Sequence, residues 1–211
     1  MKPERRRARL QDGRLYVVSG PREERGDLTE FLDAILGAGV DVIQLREKEA
    51  EPRHVMRWSE TFREAAERHD ALFVLNDRPD IAMAVGADGV HLGQNDVPVD
   101  VARRILGEHG IIGVSTRTPE QYSAVSADAD YVCAGPVWET PTKPGRPAAG
   151  LEPVRYVAAR ERRPWFAIGG VAEANVAEVV ASGASRIVVV RAVTEADDPG
   201  VAVKALLDAL P

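Results

Sequence analysis

The sequence predicts a single-domain α/β protein, a closed (β/α)8 TIM barrel, on three observations. Short β-branched runs alternate with amphipathic stretches about eight times along 211 residues, no linker or change of composition divides the chain, and polar side chains cluster just behind the strand-like runs. Parallel neighbours need a crossover between them, so repeated strand–helix alternation calls for a parallel sheet. Eight units can close on themselves, whereas an open doubly wound sheet usually has fewer strands.

The strand-like runs are LYVVS (15–19), DVIQL (41–45), LFVL (72–75), GVHL (89–92), IIGV (111–114), YVCAG (131–135), WFAI (165–168) and RIVVV (186–190). Their near-continuous apolar character suits strands covered by helices. Between them, DLTEFLDAILGAG sets Leu28, Phe31, Leu32, Ile35 and Leu36 on one stripe, with Gly37 and Gly39 as stop signals. Seven further stretches follow the same plan, and Pro79, Pro119 and Pro153 fall where a first helical turn tolerates proline. GADGVHLG and GASRIVVV share one pattern, Gly-Ala at a helix end and then a strand.

Composition sets the class. Apolar residues make up 45% and charged residues 28%, as in a globular protein, and a net charge of -6 gives no support for nucleic-acid binding. No run approaches the roughly 18 apolar residues of a membrane span. The single cysteine, Cys133, sits in an apolar run and fits a buried thiol in a reducing compartment. The start carries Arg5, Arg6, Arg7 and Arg9 with no apolar segment behind them, so residues 1–12 are expected to be a mobile, solvated basic arm preceding a barrel domain over 13–211. The location expected is cytoplasmic. The outer helix faces are compatible with a monomer or a homodimer.

In barrels, binding and catalytic groups gather at the C-terminal ends of the strands. The second run is followed by Gln44, Arg46 and Lys48 at alternate positions, which in an extended chain point the same way. Asn76 and Asp77 follow the third, Gln94, Asn95 and Asp96 the fourth, Ser115 and Thr116 the fifth. The segment GPVWETPTKPG, with Thr140, Thr142 and Lys143, follows the sixth, Gly169 and Gly170 the seventh, and Arg191 the eighth. Taken singly, the Asx, Ser and Thr residues read equally as helix caps. Arg46 and Lys48 read equally as a solvated strand end beside Glu47 and Glu49, and His91 reads as a packed, hydrogen-bonded ring rather than a base. Their coincidence at strand exits favours a site.

Asp77 and Asp96 leave neighbouring strands about 4.8 Å apart, so both carboxylates could reach one hard cation, of which magnesium with phosphate oxygens is the best match. Arg46, Lys48 and Lys143 then leave about +3, close to a diphosphate ester at about -3. A second anion position is suggested behind the last two strands by Gly170, Val190 and Arg191, where barrels often cradle a monophosphate. Two anionic small-molecule substrates are expected.

Six fragments carry a resemblance: IQLREK (43–48), LNDRPDIAMAVGADGVHLGQND (75–96), IIGVST (111–116), YVCAGPVWETPTKPG (131–145), AIGGV (167–171) and VVVRAVTEADDP (188–199). In this order the chain resembles the thiamine-phosphate synthase family over nearly its whole length. The resemblance implies a barrel that joins a hydroxymethylpyrimidine diphosphate to a thiazole phosphate, giving thiamine phosphate and diphosphate. It implies that Gln44, Arg46, Lys48, Asn76, Ser115 and Lys143 hold the pyrimidine diphosphate, with Leu45 and Glu47 also among the substrate-binding residues, Arg46, Lys48, Ser115 and Lys143 in catalytic roles, and Asp77 and Asp96 on Mg2+. Thr140, Pro141, Thr142, Gly170, Val190 and Arg191 would line the thiazole-phosphate position. The chain departs from the family pattern at Arg191, where Ser is frequent, and at Arg117, where His is frequent. Two rivals stand beside this reading. A thiazole-phosphate tautomerase would not need the diphosphate grip, and a non-catalytic binder of thiamine phosphates would show no turnover.

Overall fold

Eight parallel strands close into a barrel in sequence order, with β8 hydrogen-bonded back to β1. The computed structural model describes residues 3–140 and 147–211. The order is α1 (Pro3–Asp12), β1 (Leu15–Ser19), α2 (Leu28–Gly37), β2 (Val42–Leu45), α3 (Pro52–Arg68), β3 (Leu72–Asn76), α4 (Pro79–Val85), β4 (Gly89–Leu92) and α5 (Val99–Leu106). Then come β5 (Ile111–Thr116), α6 (Pro119–Ser123), β6 (Tyr131–Ala134), α7 (Glu152–Ala158), β7 (Trp165–Ile168), α8 (Val176–Ala181), β8 (Ile187–Val189), α9 (Arg191–Thr194) and α10 (Pro199–Asp208). The expected barrel is present, and Pro79, Pro119 and Pro153 each lie in the first turn of a helix. Among the described residues no helix is long and apolar enough to cross a membrane.

Strand side chains alternate between two cores, as the two-residue period requires. The outward set, including Val17, Ile43, Phe73, Val90, Ile112, Val132, Ala167 and Val189, packs against the helices. The inward set, including Tyr16, Leu72, Val74, Ile111, Tyr131, Cys133, Phe166 and Val188, fills the barrel. Pairing places Gln44 opposite Val18 and Val74, and His91 opposite Asn76 and Gly113. Polar inward positions therefore rise towards the C-terminal end while the interior below them is apolar.

Residues 3–12 differ from the expected solvated arm, because they form α1. Arg5, Arg6, Arg7 and Arg9 reach Asp70, Asp88, Asp130 and Asp41 at 2.8, 2.7, 3.1 and 3.1 Å. Asp41, Asp88 and Asp130 immediately precede β2, β4 and β6, and their other oxygens accept backbone N–H groups of Leu15, Phe73 and Ile112 at the feet of β1, β3 and β5. Each aspartate thus ties a strand start to an α1 arginine, while Leu10 is buried with the inward-facing core. At the equivalent place before β8, Arg186 donates to the carbonyls of Gln11 and Gly13 at 2.7 and 3.0 Å. A polar helix with little apolar surface is held there by paired charge and by one leucine, which buries about 1.5–3 kcal/mol of side chain.

Candidate active site

The C-terminal mouth holds two adjoining cavities. The inner one, about 40 Å3, is lined by Gln44, Arg46, Asn76, His91 and Ser115 above the apolar floor of Val18, Cys133 and Val188. The outer one, about 230 Å3, is lined by Gln94, Asn95, Ser115, Arg117, Gln121 and Thr140. Ser115, Ile168 and Val190 border both. The strand register explains this: Gln44, Asn76, His91 and Ser115 are the last inward positions of four successive strands, at the height where their side chains converge.

At the rim, Lys48 Nζ lies 2.6 Å from Asp77 Oδ2, and the Asp77 and Asp96 carboxyl groups are in hydrogen-bond contact. Burial pushes the Asp77 carboxyl above the usual carboxylate range, the contact with Asp96 pushes it further, and Lys48 opposes both. Asp77 also holds a left-handed backbone at φ 64°, uncommon for a residue other than glycine and tolerated best by Asx residues. Its N–H donates to the His91 carbonyl at 2.9 Å, which fixes that geometry, and the Asp96 carboxylate accepts from the Gly93 N–H at 2.6 Å. The backbone strain coincides with the paired carboxylates.

Around the outer cavity, Gln94 Nε2 donates to the Ser115 carbonyl at 2.7 Å, and Arg117 donates to the Pro147 carbonyl at 3.1 Å. Gly170 turns through φ 70°, and a Cβ there would lie 2.7 Å from the Trp138 Cβ, so glycine alone fits. Asn175 pins that turn, accepting from the Ala172 N–H and donating to the Gly170 carbonyl, both at 2.9 Å.

The residues expected from sequence thus divide. Gln44, Arg46, Asn76, Ser115, Thr140 and Val190 line the cavities, and Lys48, Asp77 and Asp96 meet at the rim. Leu45 does not join them with its side chain, because as an odd-numbered residue of β2 it faces the helices in the outer core. Glu47 is drawn into its own turn, where Oε1 accepts from the Glu49 N–H at 3.2 Å. Arg191 is exposed at the start of α9. Pro141, Thr142 and Lys143 lie outside the described residues.

Sequence reasoning missed Tyr16 and Tyr131, which bond to Gln44 and His91 beneath the site. The signal was a polar-tipped aromatic at an inward position of two strands. It also missed that Arg117 and Gln121 wall the outer cavity.

Residues 15–193 match the profile of a family described as thiamine monophosphate synthase. A thiamine-phosphate synthase of Thermobifida fusca is 56% identical over 196 residues, covering 92% of this chain and 90% of that protein. One from Acidothermus cellulolyticus is 55% identical over 196 residues, covering 92% of each. Among solved structures, a thiamine phosphate pyrophosphorylase from Pyrococcus furiosus superposes with a TM-score of 0.83 at 35% identity, covering 96% of both chains. The barrel's polar mouth and these likenesses over nearly the full length agree: the chain belongs to the thiamine monophosphate synthase family, transferases of thiamine biosynthesis.

Proposed function

We propose that this transferase joins 4-amino-2-methyl-5-(diphosphooxymethyl)pyrimidine to 4-methyl-5-(2-phosphoethyl)thiazole, releasing diphosphate and thiamine phosphate. The observation that carries this reading is the rim, where Lys48 and two touching carboxylates stand over a small pocket walled by Arg46, Gln44 and Ser115. Two carboxylates forced together at a half-buried place gain from a divalent cation, so Asp77 and Asp96 fit a magnesium ion of the kind that keeps waters and takes phosphate oxygens. When bound, that ion would neutralise charge on the diphosphate oxygens.

The chain's own groups do the rest. Gln44, Asn76 and Ser115 orient the pyrimidine in the inner cavity. Arg46 and Lys48, with Lys143 from the segment after β6, stabilise negative charge as the methylene C–O bond breaks and its electron pair leaves with diphosphate. The amino-pyrimidine ring supports the resulting benzyl-like cation, and the thiazole nitrogen donates its lone pair to form the new C–N bond. Thr140, Pro141, Thr142, Gly170, Val190 and Arg191 hold the thiazole phosphate. No protein nucleophile enters. Preorganised donors aimed at developing charge are usually the largest catalytic contribution, and loss of one typically costs about 10²–10³ in rate.

The test is product formation from both substrates with magnesium, and with chelator as control. Asp77→Ala and Lys143→Ala should each lower turnover by about 10²–10³ with the fold intact. Wild-type rates in either variant would remove the scheme. Absence of product from the unaltered protein would favour a binder.

A further inference from the structure

Five side chains from five strands cross the barrel interior in one hydrogen-bonded line. Gln44 Nε2 donates to the Tyr16 hydroxyl, which lies 3.1 Å from the Tyr131 hydroxyl. Tyr131 Oη is 3.0 Å from His91 Nδ1, and His91 Nε2 is 2.8 Å from Ser115 Oγ. The crossing is possible because β5 carries glycine at 113, where a Cβ would fall 1.9 Å from the Tyr131 ring. Burial pushes both phenols well above their ordinary pKa, so they stay protonated and each has one hydrogen to give.

A phenol has one hydrogen and can accept more than one, so with Gln44 donating at one end a single arrangement gives every hydrogen in the line a partner within it. Tyr16 Oη accepts from Gln44, and its own hydrogen therefore goes to Tyr131. Tyr131 accepts there and must give its hydrogen to His91 Nδ1. His91 is then the neutral tautomer with the proton on Nε2, donated to Ser115 Oγ. Ser115 receives on that side, and its own hydrogen is directed elsewhere. Gln44 and Ser115 both line the inner cavity, so the amide presents its acceptor atom, Oε1, and the serine its O–H.

We propose that Tyr16, Tyr131 and His91 are positioning residues that fix the hydrogen-bond polarity of the inner cavity, making Gln44 an acceptor and Ser115 a donor towards an aminopyrimidine; this deepens, and rests on, the transferase reading above. An aminopyrimidine carries N–H donors on its amino group and acceptor nitrogens in its ring. An analogue with an oxo group in place of the amino group lacks that donor and leaves a buried polar group unpaired, which discriminates far more strongly than a lost apolar contact.

The first experiment is 15N NMR of the full-length protein labelled on histidine, at about pH 8, above the ordinary imidazole value of about 6.5, with His91 assigned by the signal missing in His91→Gln. The expected state is neutral with the proton on Nε2. A proton on Nδ1, an imidazolium or a mixture of tautomers would each overturn the proposal.

Kinetics give the second measurement. Tyr131→Phe removes the donor to Nδ1, and kcat/KM for the pyrimidine diphosphate should fall about tenfold while the KM of the thiazole phosphate stays unchanged. An equal change in both substrates would overturn the proposal. His91→Gln, whose amide can donate near Nε2, should keep more activity than His91→Asn, whose amide sits near Nδ1; equal or reversed ranks count against it. Product formed by a wild-type protein with the opposite tautomer would strike the polarity alone. No product, with the expected tautomer seen, would strike the transferase reading and support the polarity.

Discussion

Replacing Asp96 by Asn should make the protein more stable and less active. Asp77 and Asp96 set two acidic groups side by side, and Lys48, 2.6 Å from Asp77, balances part of their charge. Charges about 4 Å apart repel by about 4 kcal/mol at an effective dielectric of about 20 and by about 1 kcal/mol in bulk water. The Asp77 side chain is 20% exposed and Asp96 is half-buried, so solvent screens the pair. The watery end of the range, about 1 kcal/mol, is therefore the better figure. Asn keeps an oxygen for the Gly93 N–H, which Asp96 accepts at 2.6 Å, and brings a donor to Asp77 in place of a second charge. In a chain of this size each kcal/mol moves Tm by about 2–4 °C, and thermal unfolding in chelator should show that rise. Magnesium then separates the two roles of the site. A ligand that binds only the folded state raises Tm by mass action, which should be seen in the wild type and be far smaller in the variant. Turnover should fall by about 10²–10³. A variant that melts below the wild type in chelator would refute the electrostatic argument. One that keeps both the magnesium-dependent rise and full turnover would refute the assignment of Asp96 to the metal.

Three further outcomes follow from the geometry. Asp88→Ala removes the partner of Arg6 at 2.7 Å and of the Phe73 N–H at 3.0 Å, both at a side chain only 8% exposed. Stability should drop by about 3 kcal/mol, or about 6–12 °C in Tm, measured by thermal unfolding, with turnover at low temperature unchanged. Asp27 is held below the usual carboxylate range, first by its hydrogen bonds from Arg22 at 2.6 and 2.7 Å. Its folded form therefore binds fewer protons than the unfolded chain: the stability it contributes is complete above the unfolded value of about 3.9 and is lost as pH falls through the depressed folded value. In urea unfolding across that acid window, Asp27→Asn should show a shallower decline than the wild type. Gly170→Ala meets both a left-handed backbone at φ 70° and the Trp138 Cβ at 2.7 Å. It should raise the KM of the thiazole phosphate more than that of the pyrimidine diphosphate, and equal effects would remove the glycine turn from the thiazole side.

The barrel was legible because two periodicities alternate along the chain, and the site because a parallel barrel sends every strand exit to one end. Gln44, Asn76 and Ser115 needed only that rule. Leu45 and Glu47 keep their side chains out of the cavities for a reason the same rule contains: alternate residues of an extended chain face opposite ways, so a contiguous motif cannot deliver all its side chains to one cavity. Tyr16 and Tyr131 were hidden because an inward aromatic looks like any core residue until closure of the sheet fixes which residues share its height. The arginines of α1 misled in a different way. Their partners Asp41, Asp70, Asp88 and Asp130 lie 32 to 123 positions further along the chain, as the numbering requires, so no local window contains both halves of any pair. Three of the aspartates were nevertheless visible, one residue ahead of β2, β4 and β6 in VDV, ADGV and ADY. Each of these aspartates gives one oxygen to a backbone N–H at the foot of a neighbouring strand, which leaves its other oxygen for a group of opposite sign across that end of the barrel. The densest run of positive charge, Arg5 to Arg7 with Arg9, stands at the start of the chain, and the barrel closes with that run laid across the feet of its strands.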